Sequence, residues 1–299
     1  PRRNTRQSLH IRMEESLPTP MTPTGHLPTT SNSNPTTPTP NLMDSDEVSM
    51  CLDPDFDPRS LKPTPVPLPY ACGSKASDQV AFVVENLLTP DECTRLLALT
   101  HQRGYERALV NIGGGRQAQI DDVRKSGRCI LDSPGFAKVL WQRIGHMMPH
   151  MGRGKGWPIE LNERFRFLRY VPGDYFRPHR DGSYPRPGNH PNYGDKSCLT
   201  VMIYLDEPTK GGETNFINEH KLSTDESRVT SVVPRVGMGL VFEHQLYHEG
   251  AELLEGTKHA IRTDVMCRNV ARPPTKEAVQ AVEKASEEKV SESLRNLGW

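Results

Sequence analysis

The stretch FRFLRYVPGDYFRPHRD, residues 165–181, decides the prediction of the fold. Two runs rich in aromatic residues, 165–171 and 174–179, flank a Pro-Gly-Asp turn, which is typical of two short strands. Similar runs, separated by Gly, Pro, Asp and Asn, follow at 199–205, 213–217, 231–233, 238–242 and 259–267. The chain beyond residue 161 is therefore predicted to form a barrel or jelly roll of short strands.

Two helices are predicted ahead of these strands. The motif TPDE at residues 89–92 combines a cap residue, a proline at the first helical position and a glutamate three residues after the cap, and predicts a helix to about Gln102. Ser133-Pro134 and apolar residues at helical spacing over 136–144 predict a second helix. Helices followed by many short strands indicate an α+β protein with packing helices before the barrel.

The first 75 residues are predicted to form a disordered tail. By residue 69 they hold about half of the chain's 27 prolines and one aromatic residue, Phe56, too little apolar surface to offset chain entropy. Its Thr-Pro dipeptides are candidate sites for proline-directed kinases, with an unmodified linker as the alternative. They are Thr19-Pro20, Thr22-Pro23, Thr37-Pro38, Thr39-Pro40 and Thr64-Pro65. Residues 76–271 are predicted to be the folded domain, and residues 272–299, where Glu and Lys alternate, a C-terminal helical appendage.

Composition argues against several classes of protein. Lys+Arg and Asp+Glu both total 37, so no net charge draws the chain onto nucleic acid. No run approaches the roughly 18 apolar residues of a membrane span. Six cysteines without a C-x-x-C pair indicate reduced thiols and a cytoplasmic or nuclear location. Because the chain starts at Pro1 rather than Met, a preceding leader is left open.

The triplet His179-Arg180-Asp181 is the strongest chemical signal. On a strand, alternate side chains share a face, so His179 and Asp181 point the same way. A third ligand from a distant strand would complete two imidazoles and one carboxylate, the set that leaves positions open on iron(II). His248 is the predicted third ligand, and His244 is its rival.

Basic residues accompany this triplet on both sides. Lys258 lies ten residues after His248 and Arg262 four further on, a spacing that puts both cations on one strand face. Such a cation could hold the far carboxylate of a dicarboxylate cosubstrate. Arg124 and its basic neighbours are interpreted as a solvated patch, with contact to an acidic substrate as the alternative.

Four motifs in order resemble the prolyl 4-hydroxylase-type domain of the iron(II)/2-oxoglutarate dioxygenases. They are Tyr170-x-x-Gly173 leading into His179-x-Asp181, the run LTVMIYL at 199–205, the run GGETNF at 211–216, and His248 followed at ten residues by Lys258. The resemblance covers about residues 82–268.

This resemblance implies a double-stranded β-helix, the jelly-roll or cupin-like barrel, with iron(II) on the catalytic residues His179, Asp181 and His248. It implies that 2-oxoglutarate chelates the iron and extends its other carboxylate to Lys258 and Tyr204. O2 would be the cosubstrate, and ascorbate is a candidate reductant. Tyr170 would line the pocket, and Arg262-Thr263 resembles the arginine element with which other branches hold 2-oxoglutarate, so Arg262 is the alternative anchor.

The implied activity is hydroxylation of a C–H bond, of a prolyl or other protein side chain, with release of succinate and CO2. The loop at 183–196 is expected to be a lid or a binding loop long enough to cover a peptide, which favours a protein substrate. The alternatives are a small-molecule hydroxylase of the same superfamily, a non-catalytic binding module on a degenerate barrel, and a zinc hydrolase with the same ligand set.

Overall fold

Helices and two antiparallel sheets build the fold in three layers. The computed structural model describes residues 44–69, 79–112, 116–151, 156–221 and 224–268. The helices are α1 (Asp44–Met50), α2 (Pro90–Arg103) and α3 (Pro134–Ile144), with short 3-10 turns at Pro58–Ser60, Gly145–Met147 and Glu226–Arg228. The strands are β1 (Pro63–Pro65), β2 (Ala81–Val84), β3 (Glu106–Arg107), β4 (Val110–Asn111), β5 (Gln117–Ala118), β6 (Arg124–Lys125), β7 (Gly127–Asp132), β8 (Trp157–Leu161), β9 (Arg164–Tyr170), β10 (Tyr175–His179), β11 (Lys196–Tyr204), β12 (Lys210–Gly211), β13 (Thr214–Ile217), β14 (Val229–Val232), β15 (Gly239–Glu243), β16 (His248–Gly250), β17 (Leu253–Glu255) and β18 (Lys258–Arg268).

Strand order identifies the architecture. Within the described ranges, nine strands form the larger sheet, in the order β1-β2-β15-β11-β18-β9-β7-β3 with β8 beside β18. Five form the smaller sheet, in the order β14-β13-β16-β10-β6, and the pairs β12-β17 and β4-β5 are short ladders. Two facing antiparallel sheets preceded by helices are the double-stranded β-helix and the α+β class that the sequence predicts.

Strand β11 shows why the larger sheet forms the middle layer. Leu199, Val201 and Ile203 belong to the apolar core shared with the helices. Met202 and Tyr204 belong to a second core shared with the smaller sheet. Because side chains alternate along a strand, an apolar run buried on both faces supplies both cores. The candidate site lies at the second core, between the sheets.

Both predicted helices are confirmed at their first turns. The Thr89 hydroxyl accepts from the Glu92 amide at 3.2 Å, and the Glu92 carboxylate accepts from the Thr89 amide at 2.8 Å, which completes a capping box at α2. Ser133 caps α3 by accepting from the Phe136 amide at 3.1 Å. The Glu92 carboxylate also forms an ion pair with Nη2 of Arg143 in α3, at 2.6 Å, so one carboxylate joins the two helices.

Folded structure begins earlier than predicted. The tail was placed at residues 1–75, but α1 packs on α3 with Val48 fully buried, and β1 pairs with β2. The proline-rich composition concealed the few apolar side chains, such as Leu61, that fix residues 44–69 to the domain. Residues 1–43 and 70–75, with four of the five Thr-Pro dipeptides, and the appendage at 272–299 lie outside the described residues. The remaining dipeptide, Thr64-Pro65, lies exposed in β1.

The prediction of six reduced thiols was wrong for two of them. Cys198 and Cys267 form a disulfide between β11 and β18. The neighbouring strands place the two Cα atoms 6.0 Å apart, within the range that a disulfide spans. A separation of 69 residues in sequence gives no hint of this contact. Over the described ranges, no helix combines the length and the apolar content needed to cross a bilayer.

Candidate active site

Three predicted ligands converge at the mouth of the second core. His179, the last residue of β10, is the cross-strand partner of His248, the first residue of β16, and Asp181 follows two residues after β10. The Asp181 carboxylate lies 3.7 Å from Nε2 of His179 and 3.8 Å from Nε2 of His248. One ligand atom from each residue lies within 4.8 Å of the others. Two imidazoles and one carboxylate on one side of a point fit an iron(II) ion with open positions.

Backbone carbonyls orient both imidazoles. Nδ1 of His179 lies 2.8 Å from the carbonyl of Arg177, and Nδ1 of His248 lies 2.9 Å from the carbonyl of Leu246. A carbonyl oxygen can only accept, so each Nδ1 carries the proton and each Nε2 presents its lone pair. Burial lowers the pKa of His248 to about 4, so that this imidazole is neutral at pH 7.

The Asp181 carboxylate is held by charge and by hydrogen bonds. Burial alone would raise its pKa, but Arg262, whose Nη2 lies 2.9 Å from Oδ1, and the two histidines hold the pKa of Asp181 well below its usual range. The Thr200 hydroxyl donates to Oδ2 at 2.6 Å. Asp181 is therefore an anion oriented for a cation.

The rival ligand His244 takes a different position. Its Nδ1 lies 2.9 Å from the Thr200 hydroxyl and its Nε2 lies 2.8 Å from the Ser197 hydroxyl. Its backbone carbonyl also accepts from the Asp181 amide at 2.9 Å. With both ring nitrogens engaged by hydroxyls, His244 positions Thr200 and Asp181 behind the three ligands.

The two predicted anchors lie at opposite ends of one cavity. Lys258, only 2% exposed, donates from Nζ to the carbonyl of Gly212 at 2.6 Å. The rings of Tyr170 and Tyr204 flank its ammonium, with centroids 5.2 and 5.5 Å away. Burial lowers the pKa of Lys258 to about 8. Arg262 instead lies against Asp181, so the end occupied by Lys258 is the one free to receive a distant carboxylate.

Comparison with known proteins agrees with this geometry. The family model described as the 2OG-Fe(II) oxygenase superfamily matches residues 165–263, the segment that contains all three ligands and both anchors. These residues form a 2OG-Fe(II) oxygenase domain.

Named relatives of the oxygenase domain are hydroxylases. The chain is 28% identical over 199 residues to Prolyl 4-hydroxylase 2 of Arabidopsis thaliana, covering 60% of this chain and 64% of that protein. It is 26% identical over 194 residues to Prolyl 4-hydroxylase 1 of the same plant, covering 59% and 65%. The match thus spans less than two thirds of the length of these relatives. A viral collagen prolyl hydroxylase from Paramecium Bursaria Chlorella virus-1 aligns with 21% identity and a TM-score of 0.43, covering 63% of this chain and 96% of that one.

Sequence reasoning missed two arginines of the oxygenase domain. Arg124 was interpreted as part of a solvated patch, but it is 8% exposed and lines the cavity beside Phe176. Arg166 lines the same cavity and was not singled out. The signal was present, because Tyr170 was predicted to line the pocket and residues two and four positions before it on a strand share its face.

The loop at 183–196 is anchored at several points. Arg186, 4% exposed, pairs with Glu160 at 2.8 Å and with Glu163 at 2.9 Å, and Asp195 pairs with Arg268 at 2.6 Å. The tip residue Tyr193 is exposed. These ion pairs suit a fixed binding loop beside Asp181 better than a lid that opens.

Proposed function

We propose that the chain is an iron(II)- and 2-oxoglutarate-dependent dioxygenase that hydroxylates a C–H bond, of a prolyl or other protein side chain. The observation that carries this proposal is the pairing of two features in one cavity. One end presents His179, Asp181 and His248 with their metal-binding atoms converging. The other end holds Lys258 without a carboxylate in hydrogen-bond contact among the described residues.

In this proposal each group has a defined task. The two imidazoles and Asp181 hold iron(II), and bound iron(II) with 2-oxoglutarate and O2 supplies the oxidising chemistry that hydroxylates carbon and releases succinate and CO2. Thr200 and the carbonyls behind the histidines keep the ligand atoms aimed at the ion. Ascorbate is proposed as the reductant that keeps the iron ferrous.

Lys258 is proposed to hold the far carboxylate of 2-oxoglutarate. One of its three N–H donors is used by Gly212, which leaves two for a carboxylate. Tyr204, bonded to Thr214 at 2.8 Å, and Tyr170 close the sides of this end and exclude water. An ammonium in such dry surroundings attracts an anion more strongly than one in water.

The alternatives have less support. The named relatives are prolyl 4-hydroxylases, which favours a prolyl side chain over a small molecule. A degenerate binding module would be expected to have lost a ligand or the basic residue, whereas all of them are present. A zinc hydrolase needs the same ligands but gives no role to a buried lysine at the far end.

Anaerobic titration of the full chain with iron(II) and then 2-oxoglutarate tests the proposal. The chelate is expected to give a weak visible charge-transfer band that disappears in His248→Ala. His220→Ala is the matched control, because His220 is exposed and outside the three ligands. Iron binding without the band, or a band that survives His248→Ala, would overturn the proposal.

Two predictions about the wider protein stay predictions. Phosphorylation of the Thr-Pro dipeptides can be measured by mass spectrometry of the protein from cells. A cytoplasmic or nuclear location can be checked by imaging a tagged chain. That location was argued from reduced thiols, and the Cys198–Cys267 disulfide weakens the argument.

A further inference from the structure

Three guanidinium groups surround the open end of the cavity. Arg166 of β9 and Arg262 of β18 are direct cross-strand partners in the larger sheet. Arg124 of β6 reaches the same cavity from the smaller sheet. Like charges placed directly opposite one another on neighbouring strands are destabilising. Such an arrangement therefore needs a reason.

Carboxylates of the protein neutralise this cluster only in part. Arg262 pairs with Asp181 at 2.9 Å and with Asp264 at 3.4 Å, and Arg166 lies 3.8 Å from the same Asp264, so two carboxylates face three guanidinium groups. Among the described residues, buried Nη1 of Arg166 and buried Nε of Arg262 have no hydrogen-bond partner. Across the described ranges, no carboxylate lies within ion-pair distance of Arg124, whose Nε donates to the Ser126 hydroxyl at 3.0 Å.

A structural arginine of the same protein looks different. Arg143, 2% exposed, donates to both oxygens of Glu92, at 2.6 and 2.9 Å, and to the carbonyls of Leu87 and Asp53. Where this fold buries an arginine to join helices, it surrounds the guanidinium with acceptors. Nε of Arg186, in the loop at 183–196, also lacks an acceptor, but Arg166 and Arg262 differ from it because they line a cavity in which an anion can supply one.

The charges that line the cavity also indicate that an anionic ligand binds there. Its lining contains four cations, Arg124, Arg166, Lys258 and Arg262, and two carboxylates, Asp181 and Glu249. Iron(II) and the 2-oxoglutarate dianion would add equal and opposite charges and leave the balance unchanged. With Asp264, which lies within ion-pair distance of Arg166 and Arg262, counted as a third carboxylate, one positive charge remains in a partly enclosed place where an unmatched charge is costly.

The position of the cluster fits a substrate rather than the cosubstrate. The Arg124 guanidinium lies 4.5 Å above the ring of Phe176, which stacks on the ring of His179 with centroids 3.6 Å apart. One aromatic ring therefore separates this cation from a predicted metal ligand. An anion held here would lie beside the metal and away from Lys258.

We propose that Arg124, Arg166 and Arg262 bind a carboxylate of the substrate, so that the enzyme selects C–H bonds next to an acidic group. This inference rests on the proposed dioxygenase function. The carboxylate could belong to an acidic side chain of a peptide or to a small free acid, because the guanidinium fork recognises both in the same way.

NMR of the ¹⁵N-labelled full chain, loaded with redox-inert zinc(II) and 2-oxoglutarate, tests the inference. Acetate is expected to shift the arginine Nε–H signals of the cluster saturably, whereas acetamide, its uncharged isostere, is not. In Arg124→Met and Arg166→Met, acetate affinity is expected to fall about tenfold, since each removes a charge-assisted hydrogen bond. Arg164→Met on the same strand, exposed and paired with Asp132, is the matched control and retains the affinity. Circular dichroism checks that each variant is folded.

Competition then identifies the source of the carboxylate. Displacement of acetate by a capped peptide containing Pro-Asp, and not by its Pro-Asn counterpart, supports an acidic side chain. Displacement by N-acetylproline, and not by its amide, supports a small acid. Equal shifts with acetate and acetamide, or displacement by neither acid, overturn the inference. If iron(II) and 2-oxoglutarate give the charge-transfer band but acetate does not bind to the three arginines, only this inference fails. If the band does not appear, the proposed function fails.

Discussion

The two ends of the cavity treat positive charge in opposite ways. At the inner end a single cation, Lys258, is fully enclosed by tyrosine rings and a backbone carbonyl. At the outer end three guanidinium groups line the cavity, one of them paired with Asp181, and Arg166 and Arg262 are partly exposed. An enclosed site with one cation suits a ligand of constant shape. An open site with several cations tolerates ligands that differ around a shared anionic group. The difference suggests that cosubstrate and substrate are recognised by separate charges.

The largest effect is expected at Asp181, which is a predicted metal ligand and also pairs with Arg262 at the outer end. Asp181→Ala removes one of three ligands, and iron(II) affinity is expected to fall by more than about a hundredfold, since loss of even an outer partner costs ten- to a hundredfold. Anaerobic iron titration measures this. Asp225→Ala, at an exposed acidic residue far along the chain, is the control. Unchanged iron affinity in Asp181→Ala would remove the residue from the site.

A second prediction separates the two candidate anchors. Lys258→Met is expected to weaken 2-oxoglutarate binding about a hundredfold, because a buried charged partner is lost. Arg262→Met is expected to weaken it far less, since Arg262 contacts Asp181. Titration of the charge-transfer band gives both affinities. If Arg262→Met weakens 2-oxoglutarate binding more than Lys258→Met does, Arg262 is the anchor, and the outer end rather than the inner end binds the cosubstrate.

A third prediction concerns pH. Burial lowers the pKa of Lys258 to about 8, so its ammonium is mostly charged at pH 7 and loses its proton as the pH rises through 8. A dicarboxylate binds the charged form, so 2-oxoglutarate affinity is expected to be highest below pH 8 and to fall by up to about tenfold per pH unit above it. In Lys258→Arg the side chain stays charged, so this fall should be absent. An identical fall in both proteins would assign it to another group.

The smallest effect is expected at Tyr204. Tyr204→Phe removes the hydroxyl that bonds Thr214 beside the lysine, and one hydrogen bond is worth about 1 kcal/mol, or about fivefold in 2-oxoglutarate affinity. The same titration measures it, with the exposed Tyr193→Phe as control. An effect as large as that of Lys258→Met would indicate that the ring and its hydroxyl, rather than the ammonium, dominate the inner end.

Much of the fold could be predicted from the sequence because the patterns that indicate it are local. Strand runs, the capping box at Glu92 and the H-x-D triplet each depend on residues within a few positions of one another. Their structural counterparts are present, and the metal-ligand and anchor roles of the site residues stay predictions.

What the sequence could not show depends on contacts between distant strands. Arg124 and Arg166 are 42 positions apart and line the same cavity only because β6 and β9 belong to facing sheets. The position of His244 behind Thr200 and Asp181 could not be predicted either, because it depends on the turn that follows β15. The folded structure before residue 75 could not be predicted from composition, because an average over the whole segment hides the few apolar residues, such as Val48, that pack against the domain.

The disulfide between Cys198 and Cys267 has a practical consequence for anyone who handles this protein. It closes a covalent ring that contains His248, Lys258 and Arg262 but not His179 or Asp181. A protease cut anywhere inside the ring would leave one band on a non-reducing gel and two on a reducing gel. Because both cysteines are buried, dithiothreitol, added to protect ferrous iron, would open that ring wherever the chain unfolds, whereas ascorbate, a poor disulfide reductant, would leave it closed. The choice of reductant thus decides which covalent form of the chain is assayed.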